Sequence, residues 1–253
     1  MEAHLILGYV LVGLAGFLAG AQNAIAGGGS FLTFPALLFA GLDPRAANIN
    51  SAIALFPAQL TMGWAGRNLA QGVSGLSLRT LVIISIISGA IGAVLLLATP
   101  VSVFTRLVPW LILFATLVFI WGNFLVRKRT EDEAPLLPAR VAIVMQCIIA
   151  IYGGYFGGGI GILMLAALTA AGMAVRHAGA TKNMLAGVMN IAAVAIFVAR
   201  GHVAWGLVAD QCITAMIGGY IGVAILRRAP INVLRIAVAC IGIILTIGMF
   251  LRG

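Results

Sequence analysis

Long apolar stretches, punctuated by charge, make up most of this chain. Between His4 and Asp43 no residue carries a formal charge, and that run is too long for one membrane helix. Inside it stands Gly27-Gly28-Gly29 followed by Ser30, which divides the run into a segment over 5–26 and a short one over 31–42. Further segments follow over 47–66, 76–98 and 105–126. A polar stretch then interrupts: Arg127, Lys128 and Arg129, then Glu131, Asp132 and Glu133, with Pro135 and Pro138. It is the one place where charges of both signs cluster. The pattern resumes over 141–156, 160–173, 181–199, 203–226 and 231–251. The organisation this predicts is a first membrane unit over 1–126, a cytoplasmic linker over 127–140 and a second membrane unit over 141–253.

Composition fixes the solvent. Of 253 residues, 62% are apolar and 8% charged, and the mean hydropathy is +1.15. So few charges do not cover a water-exposed surface, so the chain is an all-α membrane protein, a polytopic helical bundle with no soluble domain. The net charge of +9, fifteen Lys and Arg against six acids, would suggest nucleic acid in a soluble protein. Here it marks cytoplasmic loops beside anionic lipid, and no nucleic-acid partner is expected. Cys147, Cys212 and Cys240 sit in apolar runs without metal-type spacing, so they read as small hydrophobes, with no disulfide frame and no metal site.

The chain also matches itself. Gly27-Gly28-Gly29 pairs with Gly157-Gly158-Gly159, Gly89 and Gly92 with Gly219 and Gly222, and Pro100 with Pro230, all 130 residues apart, while Arg45 falls opposite Arg176 at 131. Several matches in one register argue for duplication. If 5–26 and 31–42 together crossed once, the Lys and Arg residues would divide seven against eight between the two sides. If they form a hairpin that returns to its starting side, the division is eleven against four, with only Arg45, Arg106, Arg200 and Arg252 opposite the basic loops. Topology follows Lys and Arg in short loops, which favours the hairpin, two inverted five-element repeats and both termini in the periplasm. A full crossing by 31–42 and a hairpin with its tip inside the membrane give the same parity.

The glycine triplets carry the chemistry. Backbone that leaves a helix at membrane depth must be buried in protein or line a cavity. Three glycines ahead of a short helix present bare amide donors and the positive end of a helix dipole, which suits an anion, and two such ends would converge near the midplane. The competing reading is close helix packing, as expected for Gly13, Gly16 and Gly20. Gly27 to Gly41, reading GGGSFLTFPALLFAG, and its echo Phe156-Gly157-Gly158-Gly159-Ile160-Gly161 through Gly172 with Lys182-Asn183 beyond, resemble the TauE/SafE family of sulfite exporters over essentially the whole chain. The resemblance implies an inner-membrane carrier for anions such as sulfite, sulfonates, sulfoacetate or thiosulfate. It leaves the substrate and the direction open. The second triplet is followed by Ile160 where the first has Ser30, and Lys182-Asn183 has Ser51-Ala52 opposite, so the two half-sites are not chemically equal.

Polar residues in apolar runs usually face a bundle interior. Gln22 and Asn23 precede the first triplet. Asn48, Asn50 and Ser51 open one segment, with Gln59 two turns on, and Thr181, Lys182 and Asn183 open its counterpart, with Asn190 two turns on. The expected substrate-binding set is Gly27, Gly28, Gly29, Ser30, Gly157, Gly158, Gly159, Asn50, Ser51, Gln59, Lys182, Asn183 and Asn190. Interhelical hydrogen bonding is the alternative for each amide, and snorkelling for Lys182. Arg45 and Arg176 read as topological or lipid anchors. Asp210, the single acid within a neutral run, could exchange a proton during transport, cap a bend, or pair with Arg200 or His202. Gly72-Val73-Ser74-Gly75 has the spelling of intramembrane serine proteases, with His177 and His202 as conceivable bases, but a turn accounts for it better. With no ATP-binding Gly-x-x-x-x-Gly-Lys-Ser/Thr segment and no cofactor implied, the expected function is secondary transport of a small sulfur-containing anion by alternating access. An anion channel and a non-transporting membrane subunit are the alternatives. A homo-oligomer is compatible with the sequence.

Overall fold

The structure is a computed structural model that describes residues 2–25, 28–122, 138–226 and 231–252. Gly27, positions 123–137 of the expected linker region, and Arg227 and Arg228 lie outside the described residues. The described residues form ten α-helices and no strand: α1 (Glu2–Ile25), α2 (Ser30–Phe39), α3 (Pro44–Ala65), α4 (Leu78–Ala98), α5 (Val101–Ile120), α6 (Ala139–Tyr155), α7 (Ile160–Ala170), α8 (Val175–Arg200), α9 (Trp205–Leu226) and α10 (Ile231–Arg252). Within α1 the stretch Ile6–Asn23, and the whole of α4, α5 and α8, are long and apolar enough to cross a membrane. Ile83, Ile87, Ile91 and Val94 of α4 and Trp110, Phe114 and Leu117 of α5 are exposed at helical spacing, the pattern of a lipid-facing stripe.

Local chemistry sets the helix ends. Pro44 stands in the first turn of α3, and the Asp43 carboxylate accepts from the amides of Arg45 and Ala46. Ser77 caps α4 by accepting from the Thr80 amide. The two short helices end alike. At α2, Gly41 has φ +96° and the Leu42 amide donates to the Leu37 carbonyl; at α7, Gly172 has φ +94° and the Met173 amide donates to the Leu168 carbonyl. Both are Schellman ends, and every member of the second lies 131 positions after its equivalent in the first.

The α1–α2 pair is a hairpin. A Cβ placed on Gly8 would lie 3.7 Å from the Ala40 Cβ, so α2 returns to the end from which α1 started. With ten residues α2 is about 15 Å long, short of the roughly 30 Å of a bilayer's hydrocarbon core. In the second half, Ser74 Oγ donates to the Ala171 carbonyl at the end of α7, and Ala171 shares an apolar cluster with Ala142 near the start of α6, so α6–α7 turns back in the same way.

Helix α3 threads the centre against α8, and the two run antiparallel. Asn50 meets the His202 carbonyl just past the end of α8, Gln59 meets Asn190, Gly63 abuts Asn183 and Met184, and Gly66 abuts Ala180. Around this pair α1 packs on α9 and α6 packs on α4, while α2 contacts α3 and α7 contacts α8. Exchanging the helices of one half for those of the other returns these same contacts. A core of Phe31, Phe34, Phe104, Phe119, Phe156 and Phe197 fills the space between α2, α3, α5 and α8. Phe31 meets Phe119 and Phe34 meets Phe156 edge to face, with centroids 5.8 and 5.9 Å apart.

Candidate functional site

The tips of the two hairpins face one cavity, of about 50 Å³, beside the middle of α3 and α8. A water needs roughly 10–15 Å³ on this measure, so the space suits a few waters or one small oxyanion. Asn23, Gly28 and Ser30 line it from the first hairpin, Gly157, Ile160 and Gly161 from the second. Leu55, Gln59 and Met62 come from α3, and Lys182, Asn183 and Ala186 from α8.

The two tips differ in what they offer. In the first, Gly28 takes φ +89°, and the Gly29 amide is already held by Asn23 Oδ1 at 2.7 Å. The amides of Phe31, Leu32 and Thr33 turn back to the carbonyls of Gly28 and Gly29. The second tip is more open. Gly157 and Gly159 take φ +81° and +73°, which only glycine adopts without strain, and the Tyr152 hydroxyl donates to the Gly158 carbonyl at 2.8 Å. The amides of Gly158, Gly159, Ile160 and Gly161 make no hydrogen bond to another described residue. They stand at the positive end of α7, a natural position for an anion.

Among the described residues Lys182 is the only charged side chain in the lining, and it forms no ion pair or hydrogen bond with any of them. A largely buried cation without a protein counter-charge is costly at membrane depth, and an anionic ligand removes that cost. The rest of the lining is neutral: amide groups from Asn23, Gln59 and Asn183, the Ser30 hydroxyl, and an apolar wall of Leu55, Met62, Ile160 and Ala186.

Gly28, Ser30, Gly157, Gln59, Lys182 and Asn183 of the expected set come together here, with Gly29, Gly158 and Gly159 in the adjoining backbone. Asn190 stands behind the lining and donates to Gln59 Oε1. Two residues fall elsewhere. Asn50 is fully buried and clamps the turn after α8: its Nδ2 donates to the His202 carbonyl at 3.0 Å and its Oδ1 accepts from the Ala204 amide at 2.7 Å. Ser51 shares a 2.6 Å hydrogen bond with Thr33. Both lie outside the lining, and their polar atoms bond within the protein.

Asn48 donates to the Tyr155 carbonyl, and Gln22 is buried beside Gly28. Arg45 donates to the Thr99 carbonyl at 2.9 Å, closing the end of α4. Asp210 lies on α9 against Gly13 of α1, outside the cavity lining, and shows no ion pair with Arg200 or His202. Ser74 and Gly75 have φ +51° and +78°, and Val73 and Leu76 exchange backbone hydrogen bonds across them, so the Gly-x-Ser-Gly stretch is a tight turn. His177 is held by the Leu69 carbonyl. Leu55, Met62, Ala186 and Gly161 were not named from the sequence. Met62 and Ala186 follow Gln59 and Lys182 by three and four positions, a signal available once those two were placed on one helix face.

Comparison with known proteins agrees with this architecture. The model of the family described as sulfite exporter TauE/SafE matches residues 12–249. A "Probable membrane transporter protein" of Haemophilus influenzae is 28% identical over 237 residues, covering 92% of this chain and 91% of that protein. "Probable membrane transporter protein ORF9" of a Sinorhizobium species is 29% identical, covering 76% of this chain and 73% of its own. "Probable membrane transporter protein YfcA" of Escherichia coli is 29% identical, covering 81% and 75%. These names describe transporters and not enzymes, and with the spans above they make this a multi-pass membrane transporter. The chain belongs to the sulfite exporter TauE/SafE family.

Proposed function

We propose that the chain is a secondary transporter that carries a small sulfur-containing oxyanion, of the sulfite, sulfonate, sulfoacetate or thiosulfate class, across the inner membrane by alternating access. The observation that carries the reading is Lys182: one cation without a partner among the described residues, in a cavity that also presents α7-tip amides bonded to no described residue. The ligand sits against Gly158 to Gly161 and Lys182, with Asn183, Gln59 and Ser30 as further donors. Two inverted repeats and a cytoplasmic location for the basic loops complete the reading. The antiparallel course of α3 and α8 supports the inversion, and the Arg45–Arg200 side, poorer in basic residues, supports periplasmic termini. Asp210, away from the ligand, is the candidate for proton coupling through the α1–α9 seam.

The test is uptake of labelled sulfite and methanesulfonate into proteoliposomes containing the full chain. Lys182→Met should lower affinity about ten- to a hundredfold, the worth of a hydrogen bond to a charged group, with the protein still folded. Unchanged affinity would remove the site. Counterflow separates a carrier from a pore: labelled anion entry should rise when unlabelled anion is loaded on the far side. Asp210→Asn should abolish any stimulation by a proton gradient while leaving counterflow intact.

A further inference from the structure

We infer that the cavity selects anions of a single negative charge, hydrogensulfite and alkylsulfonates, over the dianions sulfite, sulfate and thiosulfate. The inference rests on the anion-site reading above and narrows it.

The argument is a count of charge. Among the described residues Lys182 is the only ionic group of the lining, and every other polar member is neutral. Of the two helix ends at the cavity, that of α2 is the more closed: Asn23 holds the Gly29 amide and the Phe31 amide bonds back to Gly28, whereas the equivalent Gly159 and Gly161 amides bond to no described residue. The end of α7 is open and contributes about half a unit of positive charge. The site therefore offers roughly one and a half charges in a setting with no carboxylate and an apolar wall of Leu55, Met62, Ile160 and Ala186. The attraction of that fixed charge for a ligand grows in proportion to the ligand's charge. The cost of taking the ligand from water grows with the square of its charge, because a Born solvation energy does. A second negative charge about doubles the gain and about quadruples the cost. The mono-anion wins, and the apolar wall accepts the methyl of a sulfonate where sulfate would place a fourth charged oxygen.

The titration invoked is that of the ligand. Apart from Lys182, the titratable and charged groups described on the elements around the cavity are engaged elsewhere or lie outside its lining. Tyr152 donates to the Gly158 carbonyl, Tyr155 to Thr99, and Arg45 to the Thr99 carbonyl. His177 is bonded to Leu69 and Arg67 to Trp64. Tyr9 of α1, Arg140 of α6, and Arg176 and Arg200 of α8 stand near helix ends, Cys147 lies on α6 outside the lining, and α2 and α7 carry no such group.

Calorimetric titration of the full chain in nanodiscs tests the inference with three probes. Methanesulfonate and sulfate are both tetrahedral and differ chiefly in charge, while sulfite passes from mono-anion to dianion around neutral pH. The expected result is methanesulfonate binding at least about tenfold tighter than sulfate and unchanged from mildly acidic to mildly alkaline pH. Affinity for total sulfite should fall by about tenfold per pH unit once the dianion predominates. Asn183→Lys, which adds a second cation to the lining, should raise sulfate relative to methanesulfonate. Sulfate binding as tightly as methanesulfonate overturns the inference and leaves the anion site standing. So does a sulfite affinity indifferent to pH, or a methanesulfonate affinity that falls in parallel with it, since the titrating group is then in the protein. A folded Asn183→Lys protein with an unaltered ratio refutes the charge count. Binding of none of the three removes the anion-site reading, and this inference with it.

Discussion

Asn50 and Thr181 occupy equivalent places in the two halves, 131 positions apart, and perform the same task with different groups. Asn50 holds the turn after α8 through His202 and Ala204; Thr181 accepts from the amide of Gln71, in the turn after α3. Gln71 and His202 are themselves 131 positions apart. A polar residue near the start of each central helix thus pins the loop of the opposite half. Asn50→Ala leaves the part-buried Ala204 amide and His202 carbonyl without their partner, at a cost of about 1–3 kcal/mol. Thermal unfolding in detergent should register that loss, while the affinity of the folded protein for methanesulfonate, read by calorimetry, stays at the wild-type value. A weakened ligand affinity at unaltered stability would return Asn50 to the binding site. The neighbouring step in the same alignment sets Ser51 against Lys182. Ser51 closes on Thr33 in the first half, and Lys182 stands open to the cavity in the second. One substitution within the repeat therefore separates a sealed side from the side that opens on the cavity.

At the scale of helices, glycine lets α1 approach α9 and α6 approach α4. A Cβ on Gly20 would fall on the Ala215 carbonyl, and one on Gly154 on the Gly89 carbonyl. Gly20→Leu and Gly154→Leu should each destabilise by about 1–3 kcal/mol through forced separation of backbones, visible as a lower unfolding temperature. Stability equal to wild type in both would mean that these crossings are looser than the geometry indicates. Most of this element plan was legible in the sequence, because charge and glycine are expensive in a bilayer and so mark where helices stop. The boundaries that differ have a common cause. Helix α8 starts at Val175 where the pattern began at 181, α5 at Val101 where it began at 105, and α3 at Pro44 where it began at 47. The first turns of these helices hold Arg176 and His177, Ser102, and Arg45, polar residues that end an apolar run without ending a helix. The site was legible for a similar reason: Lys182, Asn183 and Gln59 stand out against apolar neighbours. Asn50 and Ser51 stand out equally, and composition does not tell which buried polar groups the protein satisfies by itself.

The whole molecule turns on the relation between its halves. Gln59 and Asn190 are equivalent positions, and they hydrogen-bond to each other. A contact between equivalents lies on the axis that relates the halves, and because α3 and α8 run antiparallel there, that axis lies across them and not along them. Under the inverted arrangement proposed above, such an axis would lie in the membrane plane, with one half turned over relative to the other. The cavity sits beside this axis on the side of Met62 and Lys182, while Ile49, Ile53, Val194 and Phe197 pack shut the opposite side. Exchange of the two packings between the halves is a direct route to alternating access. The inversion makes a prediction about Gln71 and His202, both exposed and both contributing only backbone atoms to their clamps. With Cys147, Cys212 and Cys240 replaced by Ala, Gln71→Cys and His202→Cys should react with a membrane-impermeant maleimide from opposite faces. In the orientation proposed above, the basic loops near Arg67 and Arg79 put Gln71 on the cytoplasmic side. His202→Cys should accordingly label in intact cells, and Gln71→Cys only after permeabilisation. Labelling of both from one face would mean that the repeats are parallel, whereas exchange of the two faces would reverse the orientation and leave the inversion intact.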